Sequence, residues 1–285
     1  MRYEAPETLD AAVALLAGTK NARVLAGGTD VLVQLHIDVI DPELLVDIKK
    51  IPELSRIDAE DGGFRVGAAM PAVLILEHEK FCAAWPGVAE GVVLIGSYQV
   101  KGRATVGGNL CNGSPAADSV PALIAAGAIA RIIGPDGTRD APVEDVITGP
   151  GKTSLKNGEI VTSFLFPARP AHSGDCYLRL TPRTEMDIAI VGAGVSLTLD
   201  GSSKCTAARV SLGAVAPKPL LVKEAADALI GTAVDDAALK KLAAAASAAC
   251  NPISDKRGTK EYRIKTAGVI ARRAAEKALE RAGAN

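Results

Sequence analysis

Apolar positions along the first fifty residues change period in a regular order. Within Glu7–Ala17 they recur at helical spacing, after Pro6 and before Gly18, which predicts an amphipathic helix. Residues 22–25 read as a short buried strand. The run Ala26-Gly27-Gly28-Thr29-Asp30 interrupts it, and residues 31–36 read as a short helix that Thr29 or Asp30 can cap. Leu44–Ile48 reads as a second strand. Residues 1–50 thus form a strand, glycine segment, helix, strand unit.

The texture changes near Ile51. Arg56–Ala59 and Phe64–Gly67 flank Glu60-Asp61-Gly62-Gly63, a hairpin signal. Helices are expected near 71–79, 87–95 and 119–126. A second hairpin is expected over Ala128–Gly134 and Thr138–Pro142, and a strand over Glu159–Phe166. Pro167–Gly174, with two prolines and a glycine, reads as a linker. It divides a unit over 51–170 from one over 175–285. In the last unit, three strands (176–181, 188–199, 207–214) suit an antiparallel meander, and three helices follow near 222–229, 235–249 and 259–282.

Composition narrows the function classes. The chain has 285 residues, 48% of them hydrophobic, enough for real cores. Its formal net charge of −1 argues against a nucleic-acid surface, and 3% aromatic content argues against base-stacking platforms. No run approaches ~18 uninterrupted apolar residues, so no membrane span is expected. Met1–Pro6 carries no secretory stretch, so the expectation is a cytoplasmic protein. The five cysteines are scattered without C-x-x-C spacing, and the three histidines are far apart. Neither disulfides nor a metal site has local support, and no metal is expected.

Two glycine segments carry the candidate chemistry. In the first, Gly27, Gly28 and Thr29 offer backbone N–H groups to a phosphate; the competing reading is an ordinary strand-to-helix turn. Asp30 would repel a phosphate at close range, so capping or a ribose hydroxyl suits it better. Neither G-x-G-x-x-G nor the P-loop pattern occurs. The second segment, 104–118, is denser in small donors and acceptors. Thr105, Gly108, Asn109, Asn112 and Ser114 could contact pyrophosphate and ribityl groups, and Asp118 a sugar hydroxyl; the competing reading is a structural glycine turn. Cys111, within it, reads better as a buried small residue than as a ligand contact. A third cluster, Arg179, Arg183, Glu185 and Asp187, reads either as solvated ion pairs or as an arginine set beside a redox ring. No nucleophilic pairing stands out, and no catalytic residue is assigned.

These segments together resemble one family. Val24-Leu25-Ala26-Gly27-Gly28-Thr29-Asp30-Val31, Thr105-Val106-Gly107-Gly108-Asn109-Leu110 with Ser114–Asp118, Arg183–Ala189 and Asp255–Arg263 are similar, in that order, to the FAD-binding middle subunit of molybdenum hydroxylases. This is the family of carbon monoxide dehydrogenase medium chains and xanthine dehydrogenase flavin domains. The resemblance implies an α+β fold: two α/β subdomains clasping FAD, then a C-terminal domain of a small antiparallel sheet and helices. It implies cofactor contacts by Val24, Leu25, Ala26, Gly27, Gly28, Thr29, Asp30 and Val31. On the second segment it implies Ala104, Thr105, Val106, Gly107, Gly108, Asn109, Asn112, Ser114 and Asp118. It adds Ile95, Val161 and Arg179, where the family more often has lysine at the last position. Molybdopterin and 2Fe–2S clusters are expected only on partners, a large and a small subunit, in a dimer of heterotrimers. The chain would then pass electrons from those clusters to a terminal acceptor. The alternatives are a stand-alone flavin oxidoreductase and a flavin-free nucleotide-binding or assembly protein.

Overall fold

The computed structural model describes residues 1–283. The first unit is a three-stranded parallel sheet made of β1 (Arg2–Glu4), β2 (Ala22–Leu25) and β3 (Leu44–Asp47), in the order β1-β3-β2. Helix α1 (Leu9–Ala17) is capped by Thr8, whose hydroxyl accepts from Ala11 N, and it buries Ala12 and Leu16 on Leu44, Val46 and Ile48. Helix α2 (Val31–His36) follows the first glycine segment. Strand β1 lay outside the sequence reading because Arg2, Tyr3 and Glu4 are all exposed. Pairing with the buried β3, and the Tyr3 hydroxyl donating to Asp47 at 2.6 Å, hold it there.

The second unit is built on a five-stranded antiparallel sheet. Its strands are β4 (Ile57–Glu60), β5 (Gly63–Gly67), β6 (Ile129–Gly134), β7 (Gly137–Pro142) and β10 (Ile160–Phe166), in the order β4-β5-β10-β6-β7. Between β5 and β6 run six helices: α3 (Ala72–Leu76), α4 (Glu79–Ala84), α5 (Pro86–Val93), α6 (Tyr98–Lys101), α7 (Val106–Cys111) and α8 (Ser119–Ala125). A small hairpin, β8 (Ile147–Gly149) with β9 (Lys152–Thr153), precedes β10. Phe81, Phe164, Phe166, Leu110 and Leu123 fill the core, with Phe81 edge-on to Phe166.

The third unit is the meander β11 (Ser173–Leu180), β12 (Val191–Leu199), β13 (Cys205–Gly213) and β14 (Leu220–Leu221). It carries α9 (Lys223–Asp227), α10 (Asp236–Ala248) and α11 (Lys260–Gly283). Helix α11 buries an alanine face, including Ala267, Ala271, Ala274 and Ala278. The helix expected near 71–79 ends at Leu76, with α4 beginning at Glu79, and β13 begins at Cys205 instead of 207; two further boundary shifts have a visible cause. Strand β11 begins at Ser173, inside the expected linker: a β-carbon on Gly174 would overlap the Ala278 carbonyl, so this glycine lets helix and sheet touch. Strand β12 begins at Val191 instead of Ile188, because the Asp187 carboxylate takes up Ile188 N and leaves 187–189 irregular.

Candidate functional site

The two glycine segments face each other across a cleft between the first sheet and the second unit, with a volume of about 360 Å³. Backbone contact brings them together. A β-carbon on Gly27 would overlap the carbonyl of Arg103, and one on Gly107 would come 2.5 Å from the carbonyl oxygen of Ala68. These first glycines of each pair are therefore required by packing. The second of each pair differs. Gly28 has φ +81°, a left-handed conformation that favours glycine. At Gly108 an added β-carbon would meet only the Thr105 hydroxyl, at 3.0 Å.

Hydrogen bonding separates the segments further. The amides of Gly27, Gly28, Thr29 and Asp30 donate to no group among the described residues. Four successive unpaired N–H groups at a cleft wall suit an anion. The second segment is a helix, α7, in which the amides of Gly107, Gly108 and Asn109 are committed. Gly107 N donates to Ala68 O, Gly108 N to the Thr105 hydroxyl at 2.9 Å, and Asn109 N to Thr105 O. The sequence reading ranked this segment the richer in donors; capping has consumed them. What it presents instead are side chains. The Asn109 carboxamide oxygen accepts from the Ser119 hydroxyl at 2.7 Å, while its NH₂ donates to no group among the described residues. Asn112 receives a 3.3 Å hydrogen bond from Gln34 of α2, tying the two walls.

Most of the expected contacts line the cleft: Val24, Ala26, Gly27, Gly28, Thr29, Asp30 and Val31 on one wall, and Ala104, Thr105, Gly107, Gly108, Asn109 and Asn112 on the other. Ile95 and Val161 complete the lining of this part. Asp30 stands at the start of α2 without a side-chain capping bond, which corrects the capping role, and burial raises its carboxyl above the usual range.

Five expected contacts stand away from the cleft wall. Leu25 and Val106 are buried in the cores of the first and second units. The Ser114 hydroxyl closes a local turn by accepting from Ala116 N at 3.2 Å. Asp118 and Arg179 are spent on each other, Arg179 Nη1 donating to Asp118 Oδ2 at 2.6 Å, with both side chains almost fully buried. The Tyr177 hydroxyl donates to the other carboxylate oxygen at 3.0 Å. Arg179 also donates to the carbonyls of Leu94 and Asp187, which ties the pair to the backbone next to Ile95. Burial pushes the Asp118 carboxyl up to about 6, against the opposing pull of Arg179 and Tyr177. Asp187 is itself held by Arg183 and Arg257, each at 3.2 Å.

Sequence reasoning missed part of the wall. Arg23, Gln34, Ala68 and the turn from Thr153 to Ile160 also line the cleft. The Asn157-Gly158 turn just before β10 was the available signal. Cys111 also lines the cleft, and burial pushes its thiol up to about 12, which favours the neutral thiol. Among the described residues no cluster of His, Cys, Asp or Glu is placed to hold a metal ion, and no helix is long and apolar enough to cross a membrane.

Known proteins place this architecture. Residues 1–169 match the family described as the FAD binding domain in molybdopterin dehydrogenase, and residues 177–278 match the CO dehydrogenase flavoprotein C-terminal domain. The carbon monoxide dehydrogenase medium chain of Afipia carboxidovorans is 37% identical over 98% of this chain and 97% of its own length. A putative xanthine dehydrogenase FAD-binding subunit of Escherichia coli is 32% identical over 99% and 97%. Among solved structures, reconstituted CO dehydrogenase from Oligotropha carboxidovorans contains a chain that superposes with a TM-score of 0.95 at 36% identity, covering 99% of this chain and 98% of that one.

Proposed function

This chain belongs to the FAD-binding subunits of CO dehydrogenase- and xanthine dehydrogenase-type molybdenum hydroxylases, and we propose that its cleft seats FAD with the diphosphate on the amides of Gly27, Gly28, Thr29 and Asp30. The observation that carries this seating is the unpaired state of those four N–H groups. Gly108 leaves room for the ligand to lie against α7. The hydroxyl of Thr105 and the carboxamides of Asn109 and Asn112 then orient the sugar and ribityl portions. Val24, Ala26, Val31, Ala104, Ile95 and Val161 exclude water around the apolar parts. Leu25 and Val106 act from behind, by fixing the backbone of the two segments, Gly107 by letting α7 lie against Ala68, and Ser114 by fixing the turn after α7.

Bound FAD supplies redox chemistry in one- or two-electron steps. The protein's share is binding and electrostatics. The Asp118–Arg179 pair sets a buried, nearly neutral dipole near Ile95 and gives that end of the cleft a fixed polarity. The units 1–50 and 51–170 clasp the cofactor, and 175–285 carries Arg179.

The protein is one flavoprotein subunit of a multi-subunit oxidoreductase. We infer that its partners are an iron–sulfur small subunit and a molybdopterin large subunit, arranged as a dimer of heterotrimers in the cytoplasm. Substrate oxidation then belongs to the large subunit, and electrons reach this chain through the 2Fe–2S clusters of the small one. Reconstitution tests the reading. The purified chain, incubated with FAD and desalted, is expected to keep flavin absorbance at close to one flavin per chain. A colourless chain after that treatment sinks it. Isolation of the native complex with iron and molybdenum is the expected outcome for the partners, and a flavoprotein that purifies alone argues against them.

A further inference from the structure

Two cations line the cleft without an ion-pair partner. Arg23 stands on β2, an edge strand of the first sheet, and Lys156 in the turn before β10. Neither side chain makes a hydrogen bond or ion pair among the described residues. Lys156 feels the charge of Glu159, but that carboxylate is already held by Arg139 through two hydrogen bonds of 2.8 Å. The remaining acid on the cleft wall, Asp30, belongs to the row of unpaired amides.

The two cations come from different units, which touch at a seam beside them. Asn157 Nδ2 donates to Ala17 O at the end of α1 at 3.2 Å, and a β-carbon on Gly158 would approach the Ala17 methyl to 2.9 Å. The turn carrying Lys156 therefore rests on the segment that leads into β2 and Arg23.

A dinucleotide brings two phosphate charges into the cleft. Backbone amides offer only partial charge, whether on Gly27–Asp30 or on α7, where those of Gly107, Gly108 and Asn109 are already committed. Full positive charge for the second phosphate has to come from elsewhere, and Arg23 and Lys156 are the cations on the lining. We propose that Arg23 and Lys156 form a two-sided clamp on the adenylate-side phosphate, and that this clamp makes the cleft select a flavin dinucleotide over the mononucleotide. The inference rests on the seating of FAD proposed above. FMN has a single phosphate, which the amides satisfy, so its binding is independent of the clamp.

Titrating FAD and FMN separately into the full-length apoprotein, parent against Arg23→Gln/Lys156→Gln, tests the clamp. Both side chains are exposed and unpaired, so the variant is expected to keep the parent's melting temperature. The expected result is a loss of roughly ten-fold or more in FAD affinity, since each lost charge-assisted hydrogen bond is a sizeable factor. FMN affinity stays unchanged, the salt dependence of FAD binding flattens, and Arg23→Lys/Lys156→Arg restores affinity. FAD affinity within two-fold of the parent overturns the clamp, as does an equal loss for FAD and FMN. A parent chain that holds no FAD is a separate failure: it removes the FAD reading and takes the clamp with it.

Discussion

Gly27 and Gly107 open their Gly-Gly pairs and are held by backbone; Gly108, which closes its pair, faces open space beyond one hydroxyl. That difference predicts opposite outcomes for small substitutions. Gly27→Ala must separate the first segment from Arg103, so it is expected to destabilise the fold by about 1–3 kcal/mol, the range for overpacked sites. Gly108→Ala needs only a shift of the Thr105 hydroxyl and sits in a helix, where alanine is preferred, so its melting temperature should stay near the parent's. Gly108→Asp should fold yet lose flavin, because it sets a carboxylate on the cleft face of α7. Thermal melts paired with flavin absorbance at equal protein concentration separate the three. Unchanged flavin content in Gly108→Asp would remove α7 from the site. The two glycine pairs are plain in the sequence. Which glycine serves packing and which leaves a cleft open is not, since the deciding atoms, Arg103 O and Ala68 O, come from other segments.

Helix α8 and strand β11 meet through Asp118, Tyr177 and Arg179, and that meeting has a pH signature. The Asp118 carboxyl lies at about 6 in the folded protein, above its ordinary 3.8, because burial outweighs the pull of Arg179. The folded state thus holds this proton more tightly than the unfolded chain. The stabilising contribution is fully present below 3.8 and is lost as pH rises through about 6. Relative to the parent, Asp118→Asn should therefore gain stability as pH rises from about 3.8 to about 6 and level off above that. Melting both proteins across that range, or following the Asp118 carboxyl carbon by NMR, checks the sign; a difference that is flat with pH contradicts it. Arg179→Met leaves the buried carboxylate alone and is expected to cost about 3–5 kcal/mol, read by denaturant unfolding. Helix α1 was legible because one-sided burial imprints a period on the chain, and β10 because its burial on both faces leaves a β-rich run. Strand β1, with no buried residue, and α7, rich in glycine, carry no such imprint. Tertiary pairing and the Thr105 cap create them.

Across the whole molecule, the third unit is fastened to the second by polar contacts around α5. Glu90 accepts from Tyr177 N at 2.9 Å and from Arg281 Nη2 of α11 at 2.6 Å. Asp175 accepts from Gly87 N at 2.8 Å and pairs with Arg169 at 2.6 Å. On the other side, Arg209 reaches Glu144 at 2.7 Å. Burial raises the Glu90 carboxyl, but Arg281 and the Tyr177 amide outweigh it and hold the group below its usual range. Glu90→Gln keeps the shape and removes the charge facing Arg281 and Lys277. Its melting temperature is expected to fall by a few degrees, at roughly 2–4 °C per kcal/mol for a chain of this size class. Flavin content should be unchanged, because this junction lies outside the cleft lining. A loss of flavin in Glu90→Gln would instead tie the junction to the cofactor.

By itself the sequence determined the succession of elements, the glycine segments and the family to which they belong, because helical and strand periods and a motif order are local or linear properties. Tertiary structure decided the chemistry of the cleft. Whether an amide is free depends on what else comes near it: α7 spends its amides on Ala68 and Thr105, while Gly27–Asp30 keep theirs. Whether a charge acts on a ligand depends on its partner in space: Arg179 is neutralised by Asp118, sixty-one positions away, while Arg23 and Lys156 form no ion pair among the described residues. Hydrogen bonds and ion pairs are exclusive and short-ranged, so their allocation appears only once distant segments are packed together.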